Sequence, residues 1–125
     1  MLKQERKPHT MRKTALLMLV LSTTTLAFAA DPKGKATNGK TLYTSTCQMC
    51  HGDKGQGMVG PKLAGVVSKW KFADFKKALQ KGVGPSGKTL TPTMPRYEKM
   101  PFSGTGKPPT DQQIADVLAY IKTLK

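Results

Sequence analysis

The most regular alternation of apolar and polar positions falls near the C-terminus, where Ile114, Val117, Leu118 and Ile121 recur at the spacing of one helix face. Pro108 and Pro109 precede Thr110-Asp111-Gln112-Gln113, a capping-box pattern that starts this helix at Thr110. A second segment carries Phe72, Phe75, Lys76 and Leu79 on one side. It predicts a helix over residues 70–81, stopped by Gly82 and anchored by the Trp70 indole. Gly39, Leu42, Tyr43 and Thr46 predict a first helix over residues 35–47. The C-terminal stripe reads as core, with Gly39 offering close approach and Tyr43 an aromatic knob against it. Between these helices, Gly52, Gly55, Gly57 and Gly60 mark a loop, and residues 82–109 are too rich in proline and glycine for any regular element. A loop that long in a small domain normally holds something. With no alternating β-branched runs, internal repeats or low-complexity tail, the fold class is all-α.

The apolar run at residues 15–21 follows the basic Met11-Arg12-Lys13 and precedes Ala27-Phe28-Ala29, small residues at the positions a signal peptidase reads. The run is shorter than the roughly 20 residues that span a bilayer. Residues 1–29 are therefore expected to be a cleaved leader for export to the periplasm, leaving no stable membrane insertion. Residues 1–10 are charged and patternless, so either Met1 or Met11 serves as the start. One small domain, residues 30–125, remains. Removing five basic residues (Lys3, Arg6, Lys7, Arg12, Lys13) and one acid (Glu5) leaves 16 Lys+Arg against 6 Asp+Glu, a net charge of +10. Aromatic residues are too sparse for a base-stacking platform, so nucleic acid is not the expected partner. Steering toward acidic protein surfaces suits this charge, as does plain solubility.

Chemistry concentrates at Cys47-Gln48-Met49-Cys50-His51. Cys-x-x-Cys-His is the spacing for covalent haem c attachment: two thiols one helical turn apart each add to a vinyl group on one porphyrin edge, and the adjoining imidazole lies under the iron. A zinc site needs four ligands, yet the chain has two cysteines and, besides His51, only His9 in the leader. A redox dithiol usually accompanies a βαβ pattern, and none is visible.

Residues 38–43 followed by Cys47-x-x-Cys50-His51-Gly52, the stretch Gly60-Pro61-Lys62-Leu63-Ala64-Gly65-Val66, and Ala115-Asp116-Val117-Leu118-Ala119-Tyr120-Ile121 together resemble class I cytochrome c along nearly the whole mature chain. The resemblance implies one covalently bound haem c and a Gly39/Tyr43 face crossing a Val117/Tyr120 face. It also implies that the Pro61 carbonyl accepts a hydrogen bond from the His51 ring. For the sixth iron ligand, Met49 lies inside the attachment motif and Met58 on the loop covering the proximal side. Met100 and Met94, each followed by proline in the long loop, remain. Met100, ten residues ahead of the Thr110 cap, is closer to the family's usual spacing and is favoured. Met94 is the alternative, with the other methionine packing on the haem edge.

An iron closed on both faces by imidazole and thioether passes single electrons. The expected function is a monomeric periplasmic carrier that shuttles electrons between redox proteins. The alternative is a haem c subunit of a periplasmic dehydrogenase complex. A haem enzyme such as a peroxidase is disfavoured, since no distal acid/base group is present.

Overall fold

Why α1 forms at all is a question of packing rather than of its own sequence. In the computed structural model, which describes residues 24–125, its buried residues are only Gly39 and Tyr43. The basic stretch at residues 11–13, the apolar run at residues 15–21 and His9 lie outside the described residues. Among the described residues the chain forms α1 (Ala36–Thr46), α2 (Gln48–His51), α3 (Phe72–Lys81) and α4 (Asp111–Ile121), with a 3-10 turn at Val67–Lys69. There is no strand among them, only an isolated bridge between Val83 and Thr89, so the all-α expectation holds.

α1 crosses α4. A Cβ placed on Gly39 would overlap the backbone carbonyl of Asp116, so only glycine allows this approach. The Tyr43 and Tyr120 rings meet at 5.2 Å across the same crossing. Asp116, buried in α4, fastens the start of α1: its Oδ1 accepts the Lys35 backbone N–H (2.7 Å) and the Gln112 amide (2.8 Å). That carboxylate occupies the N-terminal end of α1, where backbone donors and the helix dipole favour negative charge.

α4 itself begins as its sequence dictates. The Thr110 hydroxyl accepts the Gln113 N–H (3.2 Å) while the Gln113 side chain accepts the Thr110 N–H (2.9 Å). Ile114, Val117, Leu118 and Ile121 are all buried, each contributing about 1.5–3 kcal/mol relative to exposure. α3 starts two residues later than the expected residue 70. Trp70 and Lys71 are extended, and the Trp70 N–H closes the 3-10 turn on the Val67 carbonyl while the side chain packs on the core. Gly82 ends α3 with φ 69°, a left-handed cap whose N–H bonds the Ala78 carbonyl.

The long loop after Gly82 folds back along α3. Tyr97 donates its N–H to the Leu79 carbonyl (2.8 Å) and Leu90 to the Gly82 carbonyl (2.7 Å). Buried Phe102 meets the Tyr97 ring edge-on at 4.9 Å.

Candidate functional site

α1 hands directly to the Cys-x-x-Cys-His segment. The Cys47 N–H still bonds the Tyr43 carbonyl (2.8 Å), and the His51 N–H bonds the Cys47 carbonyl (3.0 Å). Helical geometry through these residues puts Cys47, Cys50 and His51 on one wall of a cavity of about 430 Å³, within the roughly 300–1,000 Å³ range of small-molecule sites. Val67, Phe75, Ala78, Leu79 and Ile121 form much of its apolar lining. The rest comes from the two loops that the sequence marks as irregular.

The glycine-rich loop sets the imidazole. Gly60 donates its N–H to the Cys50 carbonyl (2.7 Å), and Gly57 donates to the His51 carbonyl (2.8 Å). A Cβ on Gly60 would sit 2.7 Å from His51 Cε1, so the loop lies against the ring. His51 Nδ1 is 2.8 Å from the Pro61 carbonyl oxygen. A carbonyl only accepts, so Nδ1 carries the proton and Nε2 keeps its lone pair for a metal. His51 is 6% exposed, and Tyr43 locks the turn after it by donating its hydroxyl hydrogen to the Gly52 carbonyl (2.7 Å).

Burial dominates the titration of the groups nearby. It pushes the Cys47 thiol up to about 12, with Cys50 adding to the rise. It pushes Tyr97 to about 12 as well, with smaller contributions from the two cysteines. Tyr43 rises to about 12 for the same first reason.

The two methionines favoured by the sequence part company. Met94 lies on the cavity wall with Thr93 and Pro95. Met100 is 50% exposed and does not line the cavity, against the preference that spacing gave it. The reason is local. Phe102 takes the buried place in that segment, and the Ser103 N–H bonds Thr46 Oγ1 (3.0 Å), which ties the segment to the end of α1. Met49 and Met58 are exposed, and Trp70 lies on the wall of the same cavity. Residues 88–91, Arg96 and Asp116 also shape the site or its frame, and no spacing rule singles them out in advance.

The donor set suits a haem c: two thiols one turn apart, an imidazole with a free Nε2, an apolar pocket and a thioether on its wall. Comparison with known proteins agrees. Residues 36–125 match the family profile described as Cytochrome c. A cytochrome c2 of Rhodopila globiformis is 36% identical over 103 residues, covering 75% of this chain and 97% of that protein. A cytochrome c-553-like protein of Synechocystis sp. is 32% identical over 92 residues, covering 74% and 71% respectively. Among solved structures, the cytochrome cL of Methylophaga aminisulfidivorans superposes with a TM-score of 0.49 at 16% identity, covering 70% of this chain; the chain spans about half of that protein. The chain belongs to the cytochrome c family, and its covalently bound haem c makes it a carrier of single electrons.

Proposed function

We propose that the mature protein is a monomeric, diffusing electron carrier of the periplasm, freed of a leader over residues 1–29, and that it performs no chemistry on a substrate of its own. Cys47 and Cys50 hold the haem, His51 is the proximal ligand and Met94 the distal one. The observation that carries this reading is the presence of His51 and Met94 on the walls of one cavity, with the Pro61 carbonyl holding the imidazole in the tautomer that ligates. The haem supplies a one-electron couple. With His51 and Met94 both available to hold it and Phe75, Leu79 and Ile121 lining the cavity, the chain would keep water out and leave no open position for oxygen or peroxide. The net charge of +10 on residues 30–125 suits redox partners with acidic docking surfaces.

The test is spectroscopic. Met94→Ala is expected to abolish the weak red-edge band from methionine sulfur to iron(III), to admit carbon monoxide in the reduced state and to lower the potential. Met100→Ala is expected to do none of these. The reverse result moves the ligand to Met100, and a wild-type protein that binds carbon monoxide freely returns the haem-enzyme reading. Gel filtration of native extract separates a free carrier from a subunit of a dehydrogenase complex.

A further inference from the structure

The side chain of Arg96 folds back over its own loop. One of its terminal nitrogens, Nη1, donates to the Met94 carbonyl at 2.7 Å, and Nη2 donates to the Leu90 carbonyl at 2.9 Å with a longer reach to Thr91 (3.4 Å). On its other side the guanidinium covers Gly82, where a built Cβ would overlap Nε and Cζ. Two independent features thus meet at one side chain: a loop whose carbonyls converge, and a helix end with no side chain to obstruct it. Gly82 closes α3, so the cation also lies at the negative end of that helix dipole.

We infer that Arg96 is the positioning residue for the distal ligand, its guanidinium fork clamping the backbone of Met94 to the C-terminal end of α3 so that the thioether stays on the cavity wall. The inference rests on the assignment of Met94 as that ligand. Without the clamp, the loop over residues 90–94 keeps the Met94 N–H bond to the Thr91 carbonyl (3.1 Å) and the Leu90 N–H bond to the Gly82 carbonyl (2.7 Å). Neither fixes the Met94 carbonyl. A planar fork reaches several carbonyls at once, and a lysine ammonium on a flexible stem does not, so charge alone does not reproduce the function.

The measurement is displacement of the methionine sulfur from the oxidised holoprotein by added imidazole, followed through the red-edge band. Arg96→Lys is expected to retain the band in buffer, yet to give way to imidazole at concentrations at least tenfold lower than wild type, the effect of losing a charge-assisted bond. Lys81→Ala breaks the neighbouring Lys81–Glu98 ion pair, which also ties α3 to this loop without touching the carbonyls of residues 90–94. It is expected to leave the imidazole affinity at the wild-type value. An Arg96→Lys protein with wild-type affinity overturns the inference, and so does a Lys81→Ala protein that shifts as far, since the effect is then general loosening. Met94→Ala, run alongside, tells the two failures apart. If it leaves the band intact, the ligand assignment falls and the inference with it. If it removes the band while Arg96→Lys behaves as wild type, the assignment stands and only the clamp is refuted.

Discussion

Gly39→Ala sets two effects of opposite sign against each other, and the crossing of α1 and α4 decides which wins. Gly39 lies inside α1, where alanine gains about 1 kcal/mol of helix propensity over glycine. The added methyl, however, meets the carbonyl carbon and oxygen of Asp116, which are backbone atoms of another helix and have no rotamer to adopt. Relief requires the helices to separate, and overpacking of this kind costs about 1–3 kcal/mol, at the upper end where backbone is struck. Separation also weakens the Tyr43–Tyr120 ring pair, worth about 0.5–1.5 kcal/mol, and the charge-assisted bond from the Lys35 N–H to Asp116, worth about 1.5–3 kcal/mol. The net expectation is a loss of about 2–4 kcal/mol. For a domain of this size that is a fall in Tm of roughly 10–25 °C. Thermal unfolding of the holoprotein followed by far-UV circular dichroism reads it, with the exposed α1 residue Thr41 changed to alanine as the reference. Thr41→Ala is expected to raise Tm slightly by propensity alone. A Gly39→Ala protein that melts at or above wild type would refute the close-approach argument.

Tyr97 is expected to ionise near pH 12 rather than near its ordinary 10, because burial disfavours the phenolate. With the folded value raised, its contribution to stability is complete below pH 10 and lost as pH climbs through 12; Tyr97→Phe should lose less stability across that window, and a Tyr97 phenolate absorbance already complete at pH 10 counts against it. Electron-transfer rates with an acidic partner should fall steeply as salt rises above about 0.1 M, where the Debye length is about 10 Å, and a flat dependence leaves the +10 charge as a solubility feature only. Haem-free protein should show neither native helical content nor a cooperative melt, because the cavity of about 430 Å³ lies against the core residues Phe75, Leu79 and Ile121.

The legible parts of this chain are those governed by local rules. The Thr110 capping box, the Ile114/Val117/Leu118/Ile121 stripe and the Gly82 stop each depend on residues a few positions apart, and each stands in the structure where the sequence puts it. The cysteine and histidine spacing carries its chemistry for the same reason. Local rules do not separate Met94 from Met100, since both sit before proline in a loop without periodicity. What sets Met100 outward is that Phe102 takes the buried place two residues on, in a segment held by the long-range bond from the Ser103 N–H to Thr46. Nothing in the sequence marks Asp116 as a tether, because its partner, the Lys35 N–H, is 81 residues away. Trp70 falls outside α3 because its side chain packs into the core from an extended backbone, a preference no helical periodicity encodes.

That tether of 81 residues has a consequence for the order in which the molecule is built. The interface of α1 joins the beginning of the domain to its last helix, so the loop it closes contains nearly everything else, and its entropy must be met before Gly39 and Tyr43 gain a neighbour. A chain whose C-terminal residues are still missing lacks the surface against which Gly39 packs. Cys47 shares its buried cluster with Val117 and Ile121, both on α4, so that cluster is complete only once the helix is in place. The topology thereby leaves the burial of Cys47 to be completed by the last helix, α4, while Cys50 keeps part of its surface open in the finished fold.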